Sequence, residues 1–239
     1  MDGRSRLGAL RRSAGAIPCF AWAAAHILIG LPLNFFMLPA VKEAKVLAAT
    51  PVKPHIPIDR TMILLAFTFA AAWSVTGAMA AHMPRILEAG GATAVQAVAA
   101  GALFGPSQVV ARIIEASFLS RYHPLLSTRL ACVTHPIGAA IFAVVGGPAS
   151  SVFAITFGLG NGILTIARGT LPLAIFGPKN YGYRLGLIGA PARMAQACAP
   201  LVFGLLIDMM GRGVLIVSSA LSLSALAALC LLRQRPRPQ

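Results

Sequence analysis

Two groups of polar side chains interrupt the long apolar runs of the sequence, and they are the residues best suited to chemistry. Asn161, Thr165 and Arg168 are four and three residues apart, so a helix would carry them along one stripe. Arg193 and Gln196 stand about one helical turn apart in the next apolar run. An ionisable side chain in such a run normally faces a protein interior or a watery path. A guanidinium there would bind an anionic solute or pair with a buried carboxylate.

Each of these arginines also has a structural explanation. Arg193 would be satisfied by carbonyls at a helix end or by reaching an interface, and Arg168 lies near enough to the end of its run to contact lipid phosphates. Trp73 and Gln108 are further candidates for the lining of a cavity, although a tryptophan in mid-membrane packs more often than it binds. His82 would lie at an interface or titrate in a proton step, and we expect His26 and His135 to be structural.

Composition places the chain among integral membrane proteins. It is 57% hydrophobic and 11% charged, with a mean hydropathy of +0.79, whereas a soluble domain has about 25% charged residues. Twenty Lys and Arg against six Asp and Glu give a net charge of +14. These basic residues are scattered in short clusters and not gathered in one patch, which argues against nucleic acid as a partner. The partner that the charge predicts is the anionic headgroups of a lipid bilayer.

The four cysteines predict no metal site. Cys19, Cys132, Cys198 and Cys230 stand singly in apolar runs, with no CxxC pair and no histidine at metal-ligand spacing. We expect them to be small side chains buried in the membrane, and we expect no cofactor.

Runs without charge indicate seven membrane spans, because a helix needs about 20 apolar residues to cross a hydrocarbon core about 30 Å thick. The uncharged stretch 130–167 is long enough for two helices, and Gly146-Gly147-Pro148 is the turn signal that divides it. The predicted spans are residues 14–38, 61–83, 93–111, 130–146, 149–176, 185–207 and 214–232.

The positive-inside rule predicts a cytoplasmic C-terminus in a multi-pass protein of the cell (inner) membrane. With that orientation thirteen Lys and Arg lie on the cytoplasmic side, and Arg85 and Arg212 lie opposite. The N-terminus conflicts with it, since its four arginines would then face outward. Either the first span does not cross normally or upstream segments are missing; a signal peptide is disfavoured because the apolar run is too long. The four arginines are Arg4, Arg6, Arg11 and Arg12.

The chain divides into four parts. Residues 1–38 are a basic segment with a lone transmembrane helix, 39–60 a Pro/Lys-rich cytoplasmic linker, 61–232 a bundle of six helices, and 233–239 a basic cytoplasmic tail. The six helices form two groups of three, 61–146 and 149–232. Because three crossings are an odd number, the two groups enter the membrane from opposite sides and form inverted repeats.

This order of segments resembles the C-terminal half of a major facilitator superfamily transporter, with its sixth helix, central loop and second six-helix bundle. Gly105, Arg112 and Arg121 occupy the place of the family's cytoplasmic Gly…Arg loop motif, although no Asp precedes Arg112. The run from Gly158 to Arg184, and on to Pro200, is similar to the tenth and eleventh helices of bacterial members. The resemblance covers about residues 14 to 232 and depends more on the order and spacing of spans than on single motifs.

The resemblance implies transport of a small solute by alternating access, with efflux as one direction. It also implies a partner, either a missing N-terminal half or a second copy of the chain. Proton-coupled carriers commonly use a buried carboxylate, yet none of the six acidic residues lies centrally in a span. A coupling carboxylate would therefore lie in the missing half, or a histidine would replace it.

Two other classes remain as alternatives. An integral membrane enzyme would need paired carboxylates, a metal cluster or a serine with a base. Glu115 and Asp208 are expected alone in loops, and no HExxH or aspartate-rich motif is present, so we expect no enzyme. A membrane scaffold without transport activity is the third class, and no sequence feature excludes it.

Overall fold

The computed structural model describes residues 20–37 and 56–232, and every regular element in these ranges is a helix. This confirms the all-α prediction. The predicted linker 39–60 is described only from residue 56, and the basic tail 233–239, Cys19 and the start of the first predicted span lie outside the described residues. The helices are α1 Phe20–Met37, α2 Arg60–Ala89, α3 Ala94–Ser117, α4 Pro124–Val145, α5 Ser150–Phe176, α6 Tyr181–Met210 and α7 Val214–Cys230.

Six helical stretches of the described chain are long and apolar enough to cross a membrane, which supports a multi-pass membrane protein. The last of them, Tyr181–Cys230, has 50 residues. One straight helix of that length would measure about 75 Å, far more than a hydrocarbon core of about 30 Å. A 3₁₀ turn at Gly211–Gly213 divides it into α6 and α7, so all seven predicted spans correspond to helices.

Short polar and glycine-containing turns set the helix boundaries. The Asp59 carboxylate accepts a hydrogen bond from the backbone N–H of Met62 (2.8 Å) and caps α2. Thr93 and Gln96 form a capping box that begins α3. Gly146, at φ 75°, ends α4 before the 3₁₀ turn Gly147–Ala149, which confirms the predicted division. Several helices are longer than the predicted spans, because a charged residue ends an apolar run without ending a helix.

The described residues fall into two units, one with residues 20–37 and the other with residues 56–232. In the first unit, α1 contains a π-helical turn at His26–Gly30, and none of its described residues is buried. The second unit contains α2 to α7 and all of the buried apolar residues described below.

Two clusters of buried apolar side chains mark the two ends of the second unit. We call them the Leu125 end and the Phe142 end, after residues at the start and the finish of α4. The Leu125 end includes Met62, Ala111, Leu125, Leu171, Ile188 and Leu229, and the Phe142 end includes Met83, Ala97, Phe142, Phe153, Ile207 and Val214. Each of the six helices therefore starts at one end and finishes at the other, and successive helices alternate in direction.

The six helices pack in a definite set of pairs. α2 packs chiefly against α6 and α7, α5 packs against α3 and α4, and α4 also packs against α7. Glycines allow the closest approaches, as is usual between helices in lipid. A Cβ atom added at Gly77 of α2 would lie 2.7 Å from the backbone oxygen of Gln196 in α6. One added at Gly162 of α5 would lie 2.7 Å from the backbone oxygen of Gln108 in α3.

Candidate functional site

A partly buried chain of hydrogen-bonded polar side chains joins three helices of the second unit, with the buried Asn161 of α5 at its centre. Only 6% of Asn161 is exposed. Its Oδ1 accepts a hydrogen bond from the hydroxyl of Thr76 in α2 (2.8 Å), and its Nδ2 donates to Oε1 of Gln108 in α3 (3.2 Å). Because a buried amide is costly without partners, these bonds fix how the three helices face one another at this level.

The polar chain continues from the interior to the surface of α3. Nη2 of Arg112 donates to the same Oε1 of Gln108 (3.3 Å), and the Arg112 side chain is exposed. The two residues are four apart, the spacing that brings side chains together on a helix. A continuous polar connection, Thr76–Asn161–Gln108–Arg112, thus leads from α2 to the surface of the unit. We call it the Asn161 chain.

Arg168 and Trp73 line a second and separate polar location. They enclose a cavity of about 10 Å³ between α2, α5 and α6. The guanidinium of Arg168 lies beside Gly189 of α6, and a Cβ added there would be in ordinary contact with Nη2, at 3.7 Å. Trp73 is buried and packs edge-on against Phe69, with ring centroids 6.3 Å apart. Among the described residues, the salt bridge found joins Arg85 and Asp208. No described carboxylate therefore neutralises the charge of Arg168.

Arg193 and Gln196 form a third group, on α6. Nη1 of Arg193 donates to Oε1 of Gln196 (3.2 Å), and Arg193 is exposed. The backbone carbonyl of Gln196 faces Gly77. Pro200, four residues later, has no N–H to donate to that carbonyl, so the helix leaves it available to a neighbour.

Asn161, Thr165 and Arg168 lie on one continuous helix, but their side chains have different neighbours. Asn161 faces α2 and α3, whereas Arg168 lies against α2 and α6. The Thr165 hydroxyl donates to the carbonyl of Gly162 in its own helix (2.7 Å). In the described part of the chain no hydrogen bond joins the Asn161 chain to Arg193 or Gln196. These side chains form three neighbouring locations in the bundle and not one wall.

The predicted loop motif lies mostly inside a helix. Gly105 and Arg112 belong to α3, and only Arg121 is in the connection to α4, within the 3₁₀ turn Leu119–Arg121. A Cβ at Gly105 would meet nothing within 4 Å, so no packing contact in the second unit requires this glycine.

The expectation that Glu115 and Asp208 stand alone in loops is wrong. Glu115 is a buried residue of α3, and its Oε1 accepts a hydrogen bond from the hydroxyl of Ser127 in α4 (3.0 Å). Asp208 belongs to α6 and forms an exposed salt bridge with Arg85 of α2. Both partners come from other helices, and local sequence carried no sign of them.

Two of the histidines also bond across helices. Nε2 of His82 lies 2.8 Å from the carbonyl oxygen of Pro200 and donates to it, which joins α2 to α6. His135 is buried, and its Nε2 lies 2.9 Å from the Ser218 hydroxyl of α7. This contact is compatible with the expected structural role of His135. Among the described residues, no three His, Cys, Asp or Glu side chains are close enough to share a metal ion.

Replacing Asn161 by leucine is expected to lower the free energy of unfolding by about 0.6–1.7 kcal/mol, the range for hydrogen bonds between membrane helices. Thr165→Val is the matched control, because the described hydrogen bond of the Thr165 hydroxyl stays within α5. Thermal unfolding of both variants in detergent measures the difference. Equal midpoints for the two variants would show that the bonds of Asn161 do not stabilise the bundle.

No family model matches the chain, and no curated protein matches it. The fold and the site by themselves define a class: an all-helical chain with several helices suited to a multi-pass membrane protein. Within its six-helix unit, polar side chains of α2, α3 and α5 are bonded to one another in an otherwise apolar interior.

Proposed function

We propose that the chain is the C-terminal half of a secondary transporter of the major facilitator type. In this proposal it moves a small anionic solute across the cell membrane by alternating access, with its C-terminus in the cytoplasm. The observation that carries the proposal is a symmetry in the packing of the six-helix unit.

The packing pairs are preserved when the two groups of three helices are exchanged. Exchanging α2 with α5, α3 with α6 and α4 with α7 converts the pair α2–α6 into α5–α3, and the pair α4–α5 into α7–α2. The pair α4–α7 is converted into itself. All of these are major contacts of the unit. Since successive helices alternate in direction, the two groups have opposite orientations, as in inverted-repeat transporters.

In this proposal the Asn161 chain belongs to the solute site, because inverted-repeat transporters bind their solutes at the interface between the repeats. Thr76 belongs to the first helix of one group and Asn161 to the first helix of the other, and the two are hydrogen-bonded (2.8 Å). A polar bond between these two helices supports a site formed by both repeats.

The unneutralised arginines support an anionic solute. Arg168 is partly buried beside Trp73, and Arg193 lies on the next helix with Gln196 as its hydrogen-bond partner. No described carboxylate pairs with either guanidinium. Placing an arginine at the centre of a membrane helix costs about 2.5–3.5 kcal/mol, and an anion bound beside it would offset part of that cost.

Exposed small residues on α3 and α6 support a partner for the six-helix unit. A Cβ added at Gly101 or Gly105 of α3, or at Gly182 or Gly186 of α6, would meet nothing within 4 Å. Glycines four residues apart allow membrane helices to approach closely. The partner in this proposal is a six-helix N-terminal half or a second copy of the chain.

Transport into lipid vesicles tests the proposal. Purified protein would be reconstituted and offered anionic, neutral and cationic radiolabelled solutes of similar size. We expect uptake of an anionic solute above that of protein-free vesicles, and Arg193→Ala is expected to reduce it about tenfold, a loss of about 1.4 kcal/mol.

Arg212→Ala is the matched control for this experiment, because it removes the same charge from an exposed turn where Arg212 makes no described hydrogen bond. Uptake that never exceeds the protein-free background, with the chain alone or co-expressed with upstream coding sequence, would contradict the transporter proposal. Equal loss in both variants would contradict the role of Arg193.

A further inference from the structure

A groove of about 230 Å³ lies between α4 and α7 at the Phe142 end of the six-helix unit. On the same measure one water molecule needs only about 10–15 Å³, so the groove has room for a segment of a larger molecule. Alanines of α4 and a glycine of the 3₁₀ turn before α7 leave this space open. Seven of the eight lining residues are apolar or glycine, and the eighth is Arg212.

The groove faces outward from the six-helix unit. Ala140 and Ala143 of α4 and Ile216 of α7 are exposed residues of its wall, whereas Phe142 and Leu215 are buried. An outward apolar face on helices that cross a membrane is in contact with the hydrocarbon chains of lipids. A lipid acyl chain is therefore a ligand whose chemistry fits this wall.

The position of the groove along the helices matches the level at which a lipid headgroup meets its acyl chains. α4 ends at Val145, so Ala139 lies about 9 Å from the helix end at a rise of about 1.5 Å per residue. Arg212 stands just before the start of α7, in the 3₁₀ turn Gly211–Gly213. In a membrane the groove would run from the headgroup region a short way into the hydrocarbon core, with the arginine on the headgroup side.

Arg212 is the charged residue of the groove, and its guanidinium has no partner among the described residues. The residue is exposed, and no described hydrogen bond or ion pair involves its side chain. In the predicted orientation the outer side of the membrane has two arginines, and the other one, Arg85, is paired with Asp208. The planar guanidinium of an arginine can bind a phosphate through two parallel hydrogen bonds. Arg212 is therefore available to the phosphate of a lipid headgroup.

We propose that the groove binds one anionic phospholipid, with its phosphate on Arg212 and the first part of one acyl chain between α4 and α7. A free anion would leave the apolar wall without a ligand, and a zwitterionic lipid would bring its own cation next to the guanidinium. An anionic phospholipid complements both the charge and the groove. The site is independent of the transporter proposal, because no residue of the Asn161 chain, and neither Arg168 nor Arg193, belongs to its wall.

Native mass spectrometry of the full chain, released from detergent micelles, tests the site by titration with phosphatidylglycerol or phosphatidylcholine of the same acyl chains. We expect one phosphatidylglycerol to bind about tenfold more tightly than phosphatidylcholine, roughly the effect of one charge-assisted hydrogen bond. Arg212→Ala should remove this preference. Arg121→Ala removes the same charge from an exposed turn at the Leu125 end and should keep it. Equal affinity of the parent for both lipids, a preference that survives Arg212→Ala, or equal loss in the two variants would overturn the proposal.

Variants that fill the groove test the place of the acyl chain. Ala143→Phe puts a large side chain into the groove and should weaken the binding of both lipids several-fold. Val144→Phe also adds a phenyl ring, at a residue that is 87% exposed and outside the wall, and it should leave binding unchanged. If Ala143→Phe gives no folded protein, Ala140→Phe fills the groove from the same helix. Lipid binding that persists in a folded, filled variant would overturn the proposal, as would a lipid-free dimer that the filling variant dissociates, since a second copy would then occupy the groove.

Discussion

Replacing Gly162 by alanine is expected to destabilise the six-helix unit by about 1–3 kcal/mol, the usual cost of overpacking a close contact. The added methyl carbon would lie 2.7 Å from the backbone oxygen of Gln108 and 2.8 Å from the Cβ of Ala111. Backbone cannot rotate away as the end of a side chain can, so α3 and α5 would have to separate. Thermal unfolding in detergent, followed by loss of the monodisperse peak in gel filtration, measures the change.

Gly101→Ala is the control for Gly162→Ala. Gly101 lies inside α3, and a Cβ there would meet nothing within 4 Å. Alanine is favoured over glycine in a helix interior by about 0.8–1.0 kcal/mol, so this variant should be at least as stable as the parent. The two glycine-to-alanine changes are thus expected to have opposite signs. If Gly162→Ala were as stable as Gly101→Ala, the close approach of α3 and α5 would be wrong.

Replacing Arg129 by alanine is expected to cost about 1.5–3 kcal/mol, the range for hydrogen bonds that involve a charged group. Arg129 of α4 reaches the end of α7, where Nη2 donates to the carbonyls of Leu229 (2.8 Å) and Leu232 (3.3 Å), and Nε donates to Leu229 (3.3 Å). A helix leaves its last carbonyls without donors and carries partial negative charge there. The Arg129 guanidinium supplies hydrogen-bond donors to these carbonyls and a positive charge beside them, and it thereby links α4 to α7.

Arg121→Ala is the control for Arg129→Ala in the same unfolding assay, because it removes one positive charge without removing a described hydrogen bond. Arg121 is an exposed arginine of the turn before α4, with no described hydrogen bond from its side chain. Its removal should change the unfolding midpoint little. Arg129→Lys should recover only part of the loss, since one ammonium cannot reproduce the fork of a guanidinium. Equal midpoints for Arg129→Ala and Arg121→Ala would contradict the capping role.

The sequence alone determined the class of fold and the position of each helix. Apolar runs of about 20 residues are set by the thickness of the bilayer, and that single length scale predicted all seven helices. The pair Gly146-Gly147 with Pro148 predicted the division between α4 and α5, because paired glycines followed by proline end a helix locally. Both signals depend only on neighbouring residues, which explains why they could be read without a structure.

Of the candidate site, the sequence identified single residues but not their partners. Asn161 and Gln108 are both candidates for the lining of a cavity in the sequence, and the two are hydrogen-bonded in the structure. Their link to Thr76, 85 residues before Asn161, could not be predicted. Glu115 and Asp208 were misplaced for the same reason, since each is bonded to a residue of another helix.

Tertiary structure decided which face of each helix meets which neighbour. In a soluble protein, the buried face of a helix can be recognised from its apolar stripe. A membrane helix is apolar all round, since lipid and protein interior are alike in polarity. The sequence therefore carries little sign of the pairing α2–α6 and α3–α5, or of the different neighbours of Arg168 and Asn161. Those features follow from close packing at a few glycines and from hydrogen bonds between helices, and both exist only once the helices are assembled.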